Sequence, residues 1–183
     1  MNDQISTTQS NRRCRYLIQE RLFTWGNCFK IKDEFGHDRY IVRSKKWSLK
    51  KKLIIEDMNG NALFKMHQNG LRFLDQFHIL SARDGDSDRH IASIRQKLTF
   101  FKHSYVIYSI YGEYKIKGLD IFDHSFVLKT KNDKTIAIVN KKFFSFADTY
   151  GIEIIDSIDA REQDDHAFIL AIIIVLHCSL YCA

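Results

Sequence analysis

Residues 166–176 read H-A-F-I-L-A-I-I-I-V-L: His166 is followed without a break by ten apolar residues, Ala167, Phe168, Ile169, Leu170, Ala171, Ile172, Ile173, Ile174, Val175 and Leu176. A helix that is apolar on every side has to be surrounded, either by lipid or by the protein's own preceding segments. A bilayer span needs about twenty apolar residues. This run reaches ten before His177 interrupts it, so its length favours a core helix wrapped by protein. Asp164 and Asp165 supply the acidic start that a helix N-terminus prefers. A helix from His166 to Tyr181 would be about 24 Å long. Large apolar side chains gain about 1.5 to 3 kcal/mol each on full burial, which outweighs the weak helix propensity of the β-branched run from Ile172 to Val175.

What wraps the helix is readable upstream. From Arg15 onward, short runs rich in Ile, Val, Phe and Tyr recur about every ten residues with turn residues between them, the spacing of an all-β sandwich or barrel. Asn59-Gly60 separates LIIEDM from NALFKM, residues 34–38 (EFGHD) separate CFKIKD from RYIVRS, and residues 84–88 (DGDSD) separate FHILSAR from RHIASIRQK. Each is a hairpin signal in which Gly or Asp supplies a positive φ. Further strands are expected at 104–111 and 113–118 about Gly112, at 125–131 and 135–140 about Asn132-Asp133, and at 151–158. About twelve strands in hairpin order are too many for an open sheet, and closure removes the edges. The expected fold is mainly β: a closed barrel of about twelve antiparallel strands around a central hydrophobic C-terminal helix. A barrel of that size has a lumen that needs a plug. Phe168, Ile169, Leu170, Ile172, Ile173, Val175 and Leu176 are the side chains expected to fill it.

The 183 residues fit one domain, with residues 1–14 a flexible polar leader and 15–183 the barrel. Four cysteines (Cys14, Cys28, Cys178, Cys182) form no CxxC pair, and the leader has no apolar core, so a reduced, cytoplasmic protein is expected. The net charge of +6 permits contact with nucleic acid or anionic lipid without discriminating between them.

The order Phe23-Thr24-Trp25-Gly26, CFKIKDEFGHDRYIVRSK, WSLKKKLIIEDMNGNALFKM, LRFLDQFHIL and finally DDHAFILAIIIVL resembles the LURP-one-related family of the tubby C-terminal-like superfamily, which also includes phospholipid scramblases. The resemblance runs from about residue 15 to the terminal helix and includes a repeated D-x-x-G hairpin grammar, Asp33 to Gly36 and Asp57 to Gly60. It implies a twelve-stranded barrel around a central hydrophobic helix, without established enzymatic chemistry, in a group of membrane-tethered or lipid-responsive regulators whose plant members are linked to pathogen defence. The chain departs from the scramblases in lacking their Pro-rich N-terminal region and cysteine cluster, and HCSLYCA follows its helix.

No residue constellation specifies a reaction, and no catalytic residue or cofactor is assigned. Asp84, Asp86 and Asp88 copy the first three ligand positions of an EF-hand loop, but Arg89 holds the glycine position and Arg95 the bidentate glutamate position, so the match fails. The eight histidines (His37, His67, His78, His90, His103, His124, His166, His177) are scattered without i, i+4 pairing or a nearby cysteine, so no metal site is expected. Cys178 and Cys182, one helical turn apart, read as packing residues, with acylation or metal binding beside a third ligand the alternatives. Nucleophile elbow, P-loop and dinucleotide motifs are absent from the sequence.

The surface feature with functional content is the basic run Arg43, Lys45, Lys46, Lys50, Lys51 and Lys52 about Trp47, six cations in ten residues. At a barrel rim such cations converge on an anionic phospholipid surface, each contributing about 1 kcal/mol, with Trp47 at headgroup level. The bland reading is a charged edge that prevents strand addition. Nucleic acid has the charge in its favour but neither stacked aromatics nor a recognition motif, and is disfavoured. Two functions follow: a non-enzymatic module, cytoplasmic or peripheral at a membrane, that binds anionic lipid such as phosphoinositide or a protein partner; and a membrane-integrated, scramblase-like protein whose C-terminal helix enters lipid.

Overall fold

The computed structural model describes residues 13–20, 27–44, 52–69, 76–97, 104–120, 125–140, 149–155 and 162–181, with the backbone alone at 20, 27–28, 69, 76, 118–120, 162–165 and 180–181. Twelve strands are formed: β1 (Arg13–Glu20), β2 (Asn27–Asp33), β3 (Asp38–Ser44), β4 (Lys52–Asp57), β5 (Ala62–Asn69), β6 (Gln76–Ser81), β7 (His90–Lys97), β8 (Ser104–Ser109), β9 (Gly112–Asp120), β10 (Ser125–Thr130), β11 (Thr135–Asn140) and β12 (Thr149–Ile155), followed by helix α1 (Glu162–Tyr181). Each strand pairs antiparallel with its sequence neighbours, and β1 closes on β12 through a seven-residue register from Arg13↔Ile155 to Gln19↔Thr149, so the sheet is a closed barrel. Closure leaves no strand edge exposed.

The two-residue side-chain period of a strand divides inside from outside. Tyr16 and Ile18 of β1, Tyr40 and Val42 of β3, and Phe64 and Met66 of β5 face the lumen and are buried, while Arg13, Arg15, Arg39 and Arg43 between them are exposed. β1 opens at Arg13, so pairing begins two residues inside the segment expected to be leader; residues 1–12 lie outside the described residues.

Three hairpins repeat one turn. In the first, the amide of Asp33 donates to the carbonyl of His37 at 2.9 Å, the amide of Gly36 donates back to Asp33 at 3.0 Å, and the Asp33 carboxylate accepts from the amides of Phe35 and His37. Asp57 does the same with Asn61, Gly60 and Asn59. Thr130 replaces the aspartate in the third copy, its hydroxyl accepting from the Lys134 amide at 3.2 Å, and Asp133 occupies the glycine position. The φ values there are 84° at Gly36, 86° at Gly60 and 65° at Asp133, the left-handed region that Gly, Asn and Asp enter most readily. The D-x-x-G grammar of the sequence is therefore a geometric requirement.

Helix α1 runs through the lumen. Every residue from His166 to Cys178 is buried. The helix starts at Glu162, four residues before the expected start, so Asp164 and Asp165 lie within its first turn, where backbone amides still lack intrahelical acceptors and acidic residues remain favourable. Its twenty residues span about 30 Å. Near its start the hydroxyl of Tyr16 lies 2.7 Å from Nδ1 of His166, and near its end the hydroxyl of Tyr105 lies 3.1 Å from Oγ of Ser179. Among the described residues no helix is long and apolar enough to cross a membrane.

Candidate functional site

The filled lumen moves any binding function outward. Beside the helix, Ile18, Phe29, Phe126, Val139, Tyr150, Ile173, Ile174 and His177 line a void of about 10 Å³, at most the room of one water. That space cannot hold a lipid tail or a metabolite, and the ring of His177 is packed against Tyr150, with centroids 4.5 Å apart.

The two ends of the barrel differ in chemistry. The described hairpin turns, 34–37, 58–61, 82–89, 110–111 and 131–134, close the end at which α1 begins. Four apolar side chains are exposed there, Phe35, Met58, Ile110 and Tyr111, and the Tyr111 ring also lies against Phe168 at 5.1 Å. At the opposite end β3 finishes with Ser44 and β4 starts with Lys52, and residues 45–51 connect them. Of the seven residues singled out as a basic surface, Arg43 and Lys52 are described, while Lys45, Lys46, Trp47, Lys50 and Lys51 lie outside the described residues. Arg43 is held by Glu56, its Nε donating to the carboxylate at 2.8 Å across β3 and β4. Lys52 lies directly across from His67 on β5.

Charge pairing on the barrel wall extends well beyond Arg43. Arg13 and Arg15 both reach Glu153, Lys30 and Lys32 reach Asp38, Lys115 and Lys117 reach Asp133, and Lys131 reaches Glu113. Hydrogen bonds from Lys117 and then Lys115 hold the Asp133 carboxyl below its ordinary range. The 45–51 connection, by contrast, has four lysines and no acidic residue.

The acidic loop 82–89 is a hairpin turn in which two of the three carboxylates, those of Asp86 and Asp88, are held by cations. Arg89 reaches Asp86 at 2.7 Å and Lys65 reaches Asp88 at 3.0 Å, and these hydrogen bonds lower both aspartates. Asp88, at φ 69°, turns the chain. Cys178 is buried in the barrel, and Cys182 lies outside the described residues.

The histidines are not all scattered in space. His67, His78 and His90 stand on the outer face of β5, β6 and β7: His67 and His78 are register partners, and Nδ1 of His78 lies 3.1 Å from Nε2 of His90. Partial burial, followed by the neighbouring His90, Arg95 and His67, lowers the His78 pKa and favours its neutral ring. Their separations of eleven and twelve residues are each one hairpin repeat, which is the sequence signal that reveals the cluster once the strand register is known. Among the described residues no group of three His, Cys, Asp or Glu has metal-ligand geometry.

A concavity of about 480 Å³ outside β1 and β12 is lined by Arg15, Tyr16, Leu17, Glu34, Phe35, Gly151, Ile152 and Glu153. It adjoins Arg13 and Ile155, where the described chain stops on both strands.

The LURP-one-related family model matches residues 15–177. No curated protein sequence matches the chain. Among solved structures, the X-ray structure of a protein from Arabidopsis thaliana is similar to it, with a TM-score of 0.61 at 16% identity over 91% of this chain and 90% of that one. At that identity the likeness is one of fold.

Proposed function

The chain belongs to the LURP-one-related family, and on that premise we propose that it is a non-enzymatic binding or regulatory module that attaches peripherally to anionic phospholipid membranes, phosphoinositide-containing ones in particular, at a cytoplasmic face. One contrast carries the reading. On the described wall of the barrel many cations stand beside a carboxylate, Arg13 and Arg15 at Glu153, Lys30 at Asp38, Arg43 at Glu56, Lys115 at Asp133 and Lys131 at Glu113, whereas the sequence of the connection between β3 and β4 concentrates Lys45, Lys46, Lys50 and Lys51 about Trp47 with no acid among them. Lysines near an anionic leaflet contribute about 1 kcal/mol each, and an indole ring settles at the headgroup level. Arg43 and Lys52 flank the connection, and Arg43 is fixed by Glu56.

The filled lumen supports recognition from outside. A helix buried from His166 to Cys178 inside a closed barrel argues against the membrane-integrated, scramblase-like alternative, because its release would expose an entire core. A protein partner is the second reading, favoured by Phe35, Met58, Ile110 and Tyr111 exposed together at the opposite end.

The test is co-sedimentation of detergent-free protein with neutral and with phosphoinositide-containing vesicles, beside a variant in which Lys50, Lys51 and Lys52 are changed to Ser. Binding to the charged vesicles, weakened by salt and lost in the variant, is the expected result. Equal binding by protein and variant, or none by either, removes the lipid reading.

A further inference from the structure

The outer face of β6 and β7 holds three ligand-type atoms in a near-equilateral triangle. His90 Nε2 lies 3.1 Å from His78 Nδ1 and 3.0 Å from Ser93 Oγ, and Ser93 Oγ lies 3.2 Å from His78 Nδ1. Ligands about 2.1 Å from a metal ion stand about 3.0 Å apart at the right angles of an octahedral shell and about 3.4 Å apart at the tetrahedral angles zinc prefers, and the edges of the triangle fall at the octahedral end of that range. The triangle therefore has the dimensions of one face of a coordination polyhedron. We propose that it is a surface site for a divalent transition-metal ion of the zinc or nickel type, with His78 and His90 as imidazole ligands, Ser93 as a weak or water-bridged third contact, and water completing the shell.

Rigid scaffolding makes the pair more than two adjacent surface side chains. His78 and Ser93 are direct register partners across β6 and β7, so the sheet fixes two of the three positions, and His90 pairs with Leu80 beyond a register shift between Ile79 and Leu80. His90 is exposed, which opens the site to solvent. For both imidazoles to bind an ion each must present a lone pair to it, so a ring proton lying between the two nitrogens moves to the far nitrogen of its own ring on binding. Zinc and nickel accept neutral imidazole readily, whereas magnesium and calcium require oxygen ligands.

The surrounding charge limits the affinity. Arg95 on β7 and the register partner His67 face His78 with positive or protonatable groups. Asp88, which interacts with His67 and is bonded to Lys65, is the nearest counterweight. With two imidazoles the ion is exchangeable, as suits a sensing or bridging role rather than a structural one. The proposed ligands are on β6 and β7 and include none of the residues of the lipid reading, so the site stands or falls independently of it.

The experiment is titration of the full chain with zinc chloride in chelator-free buffer, followed by calorimetry and by NMR of the histidine rings. One equivalent should bind, with shifts confined to His78, His90 and their neighbour His67. His90→Ala, at an exposed position that leaves the fold intact, should weaken binding by about tenfold or more, and Arg95→Gln should tighten it severalfold. No uptake at about 1 mM zinc, or uptake that His90→Ala leaves unchanged, as ligation by thiols would give, overturns the proposal.

Discussion

The hydroxyl of Tyr16 on β1 and Nδ1 of His166 on α1, 150 residues apart in sequence, lie 2.7 Å from each other inside the barrel. The contact joins the first strand to the entry of the central helix, while the Tyr105 to Ser179 contact joins β8 to its exit. Apolar burial drives the helix into the lumen without choosing its rotation or height, because a helix apolar all round has no preferred face. Directional polar contacts at both ends supply that choice.

Tyr16→Phe should therefore destabilise the domain by about 1 to 2 kcal/mol, the cost of removing one partner from a buried hydrogen bond. Tyr105→Phe should cost less, since its contact with Ser179 is only part-buried. Chemical denaturation of both variants measures the difference, and the order Tyr16 above Tyr105 is the expected result.

Substitutions in the helix should act as core substitutions. Leu170 is fully buried, and Leu170→Ala should cost about 2 to 5 kcal/mol. Ile173→Asp places a carboxylate in the lumen and should abolish folding, seen as loss of cooperative thermal unfolding. A cooperatively folded Ile173→Asp protein would contradict the plugged barrel.

Gly60 tests the turn geometry apart from packing. A methyl group there meets nothing within 4 Å, so Gly60→Ala perturbs only a backbone held at φ 86°. The left-handed conformation costs an L-residue about 1 to 2 kcal/mol, and the variant should lose that much stability. Gly60→Asn, whose side chain tolerates this conformation, should lose less.

The same turns set an acid limit. Burial alone would raise the carboxyls of Asp33 and Asp57, but the backbone amides of His37 and Phe35, and the Asn61 side chain with the amides of Asn61 and Asn59, outweigh it and hold both below the ordinary value of 3.8. A carboxyl depressed in the folded state binds fewer protons there than in the unfolded chain, so its stabilisation is complete above 3.8 and is lost as pH falls below it. Thermal stability should thus fall as pH drops below 3.8, and Asp57→Asn should flatten that dependence.

The architecture was legible in the sequence because it rests on local signals. Strand period, the D-x-x-G turns and the unbroken run after His166 each report their geometry directly. The helix start was misread: the acidic residues Asp164 and Asp165 suit both a cap and a first turn, and α1 extends back to Glu162. The candidate surface was less legible. The basic run is visible as composition, yet five of its seven residues lie outside the described ones, and Glu56, which holds Arg43, is thirteen residues away on the next strand. The histidine cluster carries neither helical i, i+4 spacing nor a nearby cysteine, so no metal-ligand pattern marks it in the sequence. His67, His78 and His90 meet through the register of three strands, and the period of one strand fixes the face a side chain takes while the turn geometry is needed to say which residue stands opposite it.

A barrel that meets anionic membranes from outside, as proposed, keeps its helix in place. The decisive measurement is amide hydrogen exchange of residues 166–179 with and without phosphoinositide vesicles. Those amides are expected to remain protected at saturating vesicle concentration. Loss of their protection on binding, showing that the helix leaves the lumen for lipid, would contradict the proposal.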